Sequence, residues 1–317
     1  MKKHVSSSLI ISACLFLIII LGLCLFFIRT KSFIQLPSDN GFLKVFFCPR
    51  DDCEQVLLDF FYSASDIKCA FYDLGLERII SVLKEKNADV LIFEENFNGF
   101  GQSISSQSLM HNKFCILDES IVILGSLNPT FRGAYKNNNN LVIVESKVLA
   151  QNYLSEFFEL KKGDFSKKTK HTKILFNDFL LENYFCPDDS CEDVFLNIID
   201  SANSSVYFMT FSFTSDKIGD LLLEKNDLDI KGVFEKTQQS QFSEYQKISL
   251  TNSNIIFDSN PFNMHHKVFI IDNHTVITGS TNPSNNGFFR NDENILVIHN
   301  SVVAGWFLEE FEFVFRG

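Results

Sequence analysis

Apolar and polar residues follow two alternating periods along most of this chain, and the resulting order of elements occurs twice. From Val45 the pattern predicts a strand, a polar turn, a helix with apolar residues at i, i+3 and i+4, and a second strand: VFFCPRDDCEQVLLDFFYSASDIKCAFYDL. From Asn183 the same order recurs in NYFCPDDSCEDVFLNIIDSANSSVYFMTFSF. A second helix and strand then follow in each copy. Alternating β and α elements predict an α/β fold built on mixed sheets.

A polar motif follows these elements in each copy. The segment MHNKFCILDESIVILGSLNPT, from Met110, returns as MHHKVFIIDNHTVITGSTNPS, from Met264. Both segments contain His-x-Lys, then four residues, Asp, six residues and Gly-Ser-x-Asn-Pro. Because the motif recurs where the surrounding pattern also recurs, the sequence indicates a duplicated domain in which each half supplies half of one active site.

The residue types of this motif suit a phosphate group. Residues i and i+2 of a strand share a face, so we expect His111 beside Lys113 and His265 beside Lys267. Lysine, hydroxyl, amide and backbone N–H groups donate to phosphate oxygens, and a histidine can attack phosphorus or protonate a leaving oxygen. The predicted catalytic residues are His111, Lys113, Asn128, His265, Lys267 and Asn282, and the predicted phosphate-binding residues are Ser126 and Ser280.

Other polar residues of the motif have structural interpretations. Asp118 and Asp272 occur where a strand meets a turn, and we expect them to accept hydrogen bonds from turn backbone. Asn112 and His266 face away from the histidine–lysine pairs, because they occupy the intervening strand position. We interpret His266 as a plain strand residue.

The paired motifs resemble the His-Lys-Asp signature of the phospholipase D superfamily, and the resemblance covers most of residues 41–317. It implies two phospholipase D-like α/β domains related by a pseudo-twofold axis, with both motifs in one cleft. It also implies that one histidine becomes a covalent phosphohistidine while the other acts first as general acid and then as base for water. The implied reaction needs no metal and no cofactor.

The two copies differ after the Gly-Ser-x-Asn element. Members of the superfamily usually continue to an Asn-x-Glu-Asn-like element whose carboxylate orients a catalytic histidine. The second copy supplies Glu293 there, a further predicted catalytic residue, whereas Asn139 holds the matching position in the first copy. An amide accepts a hydrogen bond from imidazole but cannot stabilise an imidazolium as a carboxylate does. We therefore expect Glu293 to support His265, and we favour His265 as the nucleophile.

An apolar run of 20 residues, from Leu9 to Ile28, precedes the duplication and is flanked by basic residues. It is long enough to span a bilayer as a helix. The sequence predicts an uncleaved membrane anchor over residues 1–32, with a signal sequence as the alternative. The remaining organisation is a first domain over 41–150, a Lys-rich linker over 151–180 and a second domain over 181–317.

Six cysteines lie outside the apolar run. Two pairs bracket short polar turns at equivalent positions of the two copies, and each pair predicts a disulfide, with a zinc site as the alternative. The predicted disulfide residues are Cys48, Cys53, Cys186 and Cys191. Cys69 and Cys115 lie in apolar strands and are predicted to be buried thiols. Disulfides form in oxidising compartments, so we expect the catalytic domains outside the cytoplasm, or secreted if the N-terminal segment is cleaved.

The net charge of −11 is unlike that of a basic DNA-binding domain, although an acidic enzyme can still concentrate positive charge in its cleft. The lysines of the linker are either a solvated surface or a strip that contacts anionic lipid or nucleic acid. The sequence therefore predicts a membrane-anchored, metal-independent phosphodiesterase that hydrolyses phospholipid esters as a monomer. A nuclease that uses the same site and a phosphate-binding protein without turnover are the alternatives.

Overall fold

Two mixed β-sheets organise the part of the chain that the computed structural model describes, residues 36–163 and 167–317. The predicted membrane-spanning run, residues 9–28, lies outside the described residues. Among the residues that are described, no helix is long and apolar enough to cross a bilayer.

Among the described residues, the first half contains seven strands of one sheet and four α-helices. The strands are Leu43–Cys48 (β2), Ile67–Phe71 (β3), Asp89–Phe93 (β4), Gln102–Ile104 (β5), Lys113–Leu117 (β6), Ile121–Gly125 (β7) and Asn139–Glu145 (β8). The helices are Cys53–Ser63 (α1), Glu77–Glu85 (α2), Phe131–Tyr135 (α3) and Lys147–Lys162 (α4).

The second half repeats this order and adds two strands to its sheet. Its strands are Lys173–Phe176 (β9), Phe179–Cys186 (β10), Ser205–Thr210 (β11), Asp229–Phe234 (β12), Ile255–Phe257 (β13), Lys267–Ile271 (β14), Thr275–Gly279 (β15) and Glu293–His299 (β16), with Ser38–Asp39 (β1) at the edge. Its helices are Cys191–Asp200 (α5), Asp216–Glu224 (α6), Tyr245–Ser249 (α7), Asn285–Phe289 (α8) and Ser301–Arg316 (α9).

The strand orders of the two sheets confirm the duplication. The first sheet runs β2-β8-β7-β6-β3-β4-β5, and the second runs β10-β16-β15-β14-β11-β12-β13 with β9 and β1 added beyond β10. In each sheet the β3–β4–β5 or β11–β12–β13 strands are parallel, and the other shared pairs are antiparallel. This is the mixed α/β architecture that the alternating pattern predicts.

Helices α4 and α9 contribute to the central core that joins the two halves. Tyr153 and Phe157 of α4 and Phe307 and Phe311 of α9 are completely buried in one apolar cluster with strands of both sheets. Ser146 caps α4 by accepting from the Leu149 amide at 3.1 Å. The helix ends at Gly163, whose φ of +69° is the left-handed conformation that glycine adopts freely. The residues 151–162 of the predicted linker therefore belong to α4.

All three pairs of described cysteines form disulfides. Cys48–Cys53 and Cys186–Cys191 are the two short bridges that the sequence predicts. The expectation of free thiols at Cys69 and Cys115 is wrong, because these residues face each other across the antiparallel pair β3–β6 and are joined, with Cα atoms 4.1 Å apart. Sequence alone shows two apolar strands but not the register that places the two sulfurs together.

Candidate active site

Short parallel bridges between the halves bring the two motifs together. Met110 pairs with Asp292, and Met264 pairs with Asn138, so the bridges are related by the duplication. The His111 amide donates to the carbonyl of Asp292 at 3.0 Å, and the His265 amide donates to the carbonyl of Asn138 at 2.8 Å. Each His-x-Lys segment is thus held by the other half, at the residue immediately before strand β16 or β8.

The polar partner behind each histidine comes from the opposite half. His111 Nδ1 lies 2.8 Å from Glu293 Oε2, while His265 Nδ1 lies 2.9 Å from Asn139 Oδ1. The expectation that Glu293 supports His265 is therefore wrong. The inter-half bridges align β16 with the first motif and β8 with the second, so the two supports are exchanged between the copies.

The amide of Asn139 is oriented by its other contacts. Its Nδ2 donates to the Gly133 carbonyl at 2.9 Å, which leaves Oδ1 to face His265. An amide oxygen only accepts, so Nδ1 of His265 carries the hydrogen and Nε2 of the neutral ring is the free nitrogen. The carbonyl of Ser126, 3.2 Å from the same Nδ1, favours the same tautomer.

Lys113 and Lys267 point into the same region as the histidines and are buried. Lys113 Nζ donates to the His111 carbonyl at 2.6 Å, and Lys267 Nζ donates to the His265 carbonyl at 2.8 Å. A carbonyl uses one of the three ammonium hydrogens, which leaves donors for a phosphate oxygen. The histidine–lysine pairing expected from strand geometry is present in both halves.

The hydroxyls of Ser126 and Ser280 make hydrogen bonds within the protein, and the expectation that they bind the substrate phosphate stays a prediction. Both residues are completely buried. Ser126 Oγ donates to Asn139 Oδ1 at 2.9 Å and accepts from the backbone N–H of Asn140 at 3.0 Å. Ser280 Oγ accepts from the Asn294 amide at 2.9 Å. These serines hold the strand segments that support the histidines.

Asn128 and Asn282 have the same unusual environment. The Oδ1 atom of each is buried and has no hydrogen-bond partner within the described residues, although both side chains are only half-buried. A buried acceptor without a partner is costly. Each amide follows the Gly-Ser turn of its motif, and its Nδ2 is the atom that can donate to an oxygen of an anionic ligand.

Asp118 and Asp272 lie at the far end of the motif strands. Asp118 Oδ1 accepts from the Ser65 and Asp66 amides at 2.9 and 2.8 Å. Asp272 accepts from three consecutive backbone amides, and the last of them belongs to the first residue of β11. Although partial burial opposes this, hydrogen bonds from Ser205 and its neighbours lower the pKa of Asp272 to about 2. Asp118 thus holds the turn that leads into β3, and Asp272 holds the turn that leads into β11. Neither aspartate touches the histidines.

His266 belongs to a buried network between the halves. Its Nε2 lies 3.0 Å from Glu310 Oε1, and Arg50 contacts the other oxygen of Glu310 at 2.5 Å. In the first half, Asn112 takes the position of His266 and donates to Glu156 at 3.3 Å. Burial raises the pKa of Glu156 well above its ordinary value. The site therefore rests on different polar contacts in the two halves.

Two aromatic residues beside the histidines have no counterpart in the motif. Tyr72 lies edge-on to His111 with ring centroids 5.0 Å apart, and Phe211 lies edge-on to His265 at 4.7 Å. Both residues directly follow the second strand of their repeat, Tyr72 in AFYD and Phe211 in MTFS. An alignment of the two copies therefore points to these aromatic positions, whereas the His-x-Lys motif does not include them.

Burial and like charges set the electrostatics of the cleft. Burial first, and the charges of both lysines next, lower the pKa of His111 and of His265 well below the ordinary value. Burial also lowers the pKa of Lys113 to about 7, against the attraction of Glu293. Burial raises the pKa of Glu293 to about 7, and Lys113 opposes that rise. Two lysines and two histidines around one hydrogen-bonded carboxylate form a site that an anion stabilises.

Metal-binding geometry is not found in this region or elsewhere in the described parts of the chain. Within residues 36–163 and 167–317, no group of three or more His, Cys, Asp or Glu side chains could hold a metal ion.

Comparison with known proteins identifies the family. The family described as "Cardiolipin synthase, PLD-like domain" matches residues 66–161 and 195–314, which together are more than half of the chain. The chain belongs to the phospholipase D superfamily. Each matched segment contains one His-x-Lys motif and the strand that supports the histidine of the other segment.

Two curated relatives illustrate the range of similarity. A phospholipase D of Rickettsia bellii is 28% identical over 128 residues, which are 39% of this chain and 64% of the relative. A mitochondrial cardiolipin hydrolase of Xenopus tropicalis is 36% identical over 55 residues, 17% of this chain and 26% of the relative. The matches thus span less than two thirds of either relative's length.

A solved structure shows the same two-domain fold over most of the chain. The phosphatidylserine synthase of Haemophilus influenzae superimposes with a TM-score of 0.65, covering 86% of each chain at 10% identity. At this identity the likeness concerns the fold, in which two halves of one chain pack together.

Proposed function

We propose that this chain hydrolyses phospholipid phosphodiesters at the cleft between its halves. The observation that carries the proposal is the meeting of His111, Lys113, His265 and Lys267 beside the carboxylate of Glu293. The two lysine ammonium groups favour a bound anion, and the two histidines supply the nucleophile and the proton donor that phosphodiester cleavage requires.

His111 is the nucleophile in this proposal. When Nε2 of an imidazole bonds to phosphorus while Nδ1 keeps its hydrogen, the ring becomes cationic. Glu293, 2.8 Å from Nδ1 of His111, stabilises that cation, whereas the neutral amide of Asn139 offers His265 less. The reasoning that favours His265 from sequence therefore selects His111 once the supports are assigned to the correct histidines.

The proposed reaction has two steps. The negative charge of the bound phosphodiester raises the pKa of His265, which takes up a proton at Nε2. His111 Nε2 then attacks phosphorus, the bond from phosphorus to the leaving alcohol breaks, and His265 gives that proton to the departing oxygen. Water then attacks the phosphohistidine, His265 takes a proton from it, and the phosphorus–nitrogen bond breaks to release the phosphate monoester. Lys113, Lys267 and the amides of Asn128 and Asn282 would hold the non-bridging oxygens through both steps.

The names of the relatives and the predicted anchor support a lipid substrate. The relatives compared are a phospholipase D and a cardiolipin hydrolase. The test incubates the full chain with vesicles of phosphatidylcholine, vesicles containing cardiolipin, and single-stranded DNA. Release of head group or phosphatidic acid supports the proposal. Cleavage of the DNA alone would replace it with a nuclease, and no turnover of any of the three would favour phosphate binding without catalysis.

We also propose that the catalytic half-domains face an oxidising compartment, anchored by the predicted segment 9–28. Three disulfides within residues 48–191 support this, because thiols of cytoplasmic proteins are kept reduced. Peptide mapping without reduction should recover all three bridges from protein isolated in the presence of an alkylating reagent. Full alkylation of the six cysteines before reduction would place the enzyme in a reducing compartment.

A further inference from the structure

Tyr72 and Phe211 occupy the same position in the two halves and touch the same groups. Tyr72 directly follows β3, and its amide donates to the Asn112 carbonyl at 3.0 Å. Phe211 directly follows β11, and its amide donates to the His266 carbonyl at 2.8 Å. Each aromatic residue is thus tied by its backbone to the residue between the catalytic histidine and lysine.

Each ring contacts both members of its histidine–lysine pair. The Lys113 ammonium lies 5.2 Å from the centroid of the Tyr72 ring, and the Lys267 ammonium lies 4.9 Å from that of Phe211. The same rings meet His111 and His265 with interplanar angles of 68° and 64°. Tyr72 is in turn stacked on Phe93 at 5.7 Å, which fixes the plane of its ring. Both rings are half-buried.

The faces of these rings stabilise the charge of the two buried lysines, which have lost hydration. A buried ammonium loses hydration, and a carboxylate that restored the lost energy would also cancel the charge that must attract phosphate. An aromatic face attracts the ammonium through its quadrupole without adding a negative charge. The lysine then remains cationic and available to an anionic ligand.

The other charged groups near the lysines make this contribution important. Lys113 is attracted by Glu293 and by half-buried Asp73, and it is repelled by Lys267. Lys267 is attracted by Glu293 and repelled by Lys113. One fully buried carboxylate therefore serves two ammonium groups, and each ammonium has an aromatic face of its own.

We infer that Tyr72 and Phe211 are positioning residues of the phosphodiesterase site, each holding its lysine ammonium on the ring face and its histidine against the ring edge. The inference rests on the proposed function for its catalytic consequence, but the contact between ring and ammonium can be tested without turnover. The face of the ring is the active feature, so a tyrosine and a phenylalanine serve equally well.

The test compares Tyr72→Leu and Phe211→Leu with Tyr72→Phe and Phe211→Tyr. In the leucine variants, the alkaline limb of the kcat/KM profile should shift about one pH unit toward lower pH. The reason is that a desolvated cation–π contact stabilises the lysine cation by about 2 kcal/mol or less. The aromatic exchanges should retain the wild-type limb. Phe100→Leu is the control, since it removes a ring–lysine contact of 5.4 Å, to Lys84, away from the cleft.

A second measurement follows the lysines directly. Protein labelled with ¹³C at lysine Cε is titrated by NMR, with the Lys113 signal assigned through Lys113→Arg. Tyr72→Leu should move the titration of that signal to lower pH, whether or not any substrate is turned over. If the leucine variants unfold, fluorinated phenylalanine at position 211 keeps the ring shape and removes its negative face, with the same shift expected at Lys267. Activity that falls equally at every pH, with unmoved lysine titrations, would overturn the inference. Shifted titrations in a protein without turnover would instead contradict the proposed function.

Discussion

The two halves of this molecule have one strand order and one motif, yet they differ at the residues that contact the catalytic histidines. Glu293 of the second half places a carboxylate against His111, and Asn139 of the first half places an amide against His265. Because the contacts cross between halves, a substitution in one copy acts on the histidine of the other. In the proposed mechanism, this one difference in a supporting side chain is what assigns different roles to two histidines with the same motif.

The halves also differ in how they join the same two core strands. Cys69 and Cys115 are covalently linked between β3 and β6. At the equivalent register of β11 and β14, Phe208 and Phe269 stack with centroids 5.4 Å apart. Gly232 leaves room for the Phe208 ring, since a Cβ there would lie 2.1 Å from it. The two core strands are thus joined by a covalent cross-link in the first half and by aromatic packing in the second half.

The largest expected effect comes from removing either histidine. His111→Ala and His265→Ala should each lower kcat/KM by about 10⁴-fold or more, because each is needed in a different role of one reaction. Mixing the two inactive variants should restore nothing, since both motifs belong to one chain. Phosphodiesterase assays of each variant and of the mixture check this. Near-normal activity in either single variant would mean that the halves do not share a site.

Removing the Cys69–Cys115 disulfide should lower the free energy of unfolding more than removing a short disulfide does. The Cys69–Cys115 bridge closes a sequence separation of 46 residues, and loop-closure entropy predicts a loss of about 4 kcal/mol in the double alanine variant. The double variant of Cys186 and Cys191, with a separation of 5 residues, should lose about 2 kcal/mol. Urea unfolding followed by the fluorescence of the single tryptophan, Trp306, measures both. Equal losses would mean that loop length does not govern these bridges.

Glu293→Gln tests the difference between the catalytic halves directly. The amide keeps the shape and accepts from Nδ1 of His111, but it does not stabilise a cationic ring, so we expect kcat to fall on the order of 10²-fold. Trapping the covalent intermediate and mapping it by mass spectrometry should find the phosphoryl group on His111 in the unmodified enzyme. A label on His265 would reverse the assignment of roles.

Much of this architecture could be predicted from the sequence, because it follows from local periodicity and from the repeat. The duplication, the mixed α/β sheets and the two short disulfides depend on neighbouring residues and recur in both copies. The pairing of His111 with Lys113 follows from strand geometry.

The features that could not be predicted depend on register between distant segments. Glu293 contacts a histidine 182 residues away along the chain, and the contact exists because Asp292 pairs with Met110. The Cys69–Cys115 bridge similarly depends on the alignment of β3 with β6. The inward direction of the Ser126 hydroxyl is decided by Asn139 and Asn140, which the motif does not include. Apolar periodicity specifies the face of a strand and not its partner.

The dependence of activity on pH should reflect Lys113 and Glu293, the two charged groups beside His111. Lys113, whose pKa is lowered to about 7, carries its charge below that pH and loses it above. Glu293, whose pKa is raised to about 7, is ionised above that pH and protonated below. The profile of kcat/KM should therefore be a narrow bell near neutrality, falling up to tenfold per pH unit on each side. Glu293→Gln should remove the acid limb while leaving the alkaline limb, and an acid limb that persists in this variant would belong to another group.

The smallest effect is expected for Asn139→Asp, which places a carboxylate against the second histidine as well. Activity should stay within about tenfold of the original, because His265 forms no bond to phosphorus in the proposed roles and is cationic only as the general acid. The Gly133 carbonyl loses a donor, at a cost of about 1–3 kcal/mol. The double variant Glu293→Gln/Asn139→Asp then exchanges the supports. It should remain as slow as Glu293→Gln, because its carboxylate lies against His265 and not against the nucleophile. If the exchange restored activity and moved the phosphoryl label to His265, the two histidines would be interchangeable, and the supporting carboxylate alone would decide which one attacks.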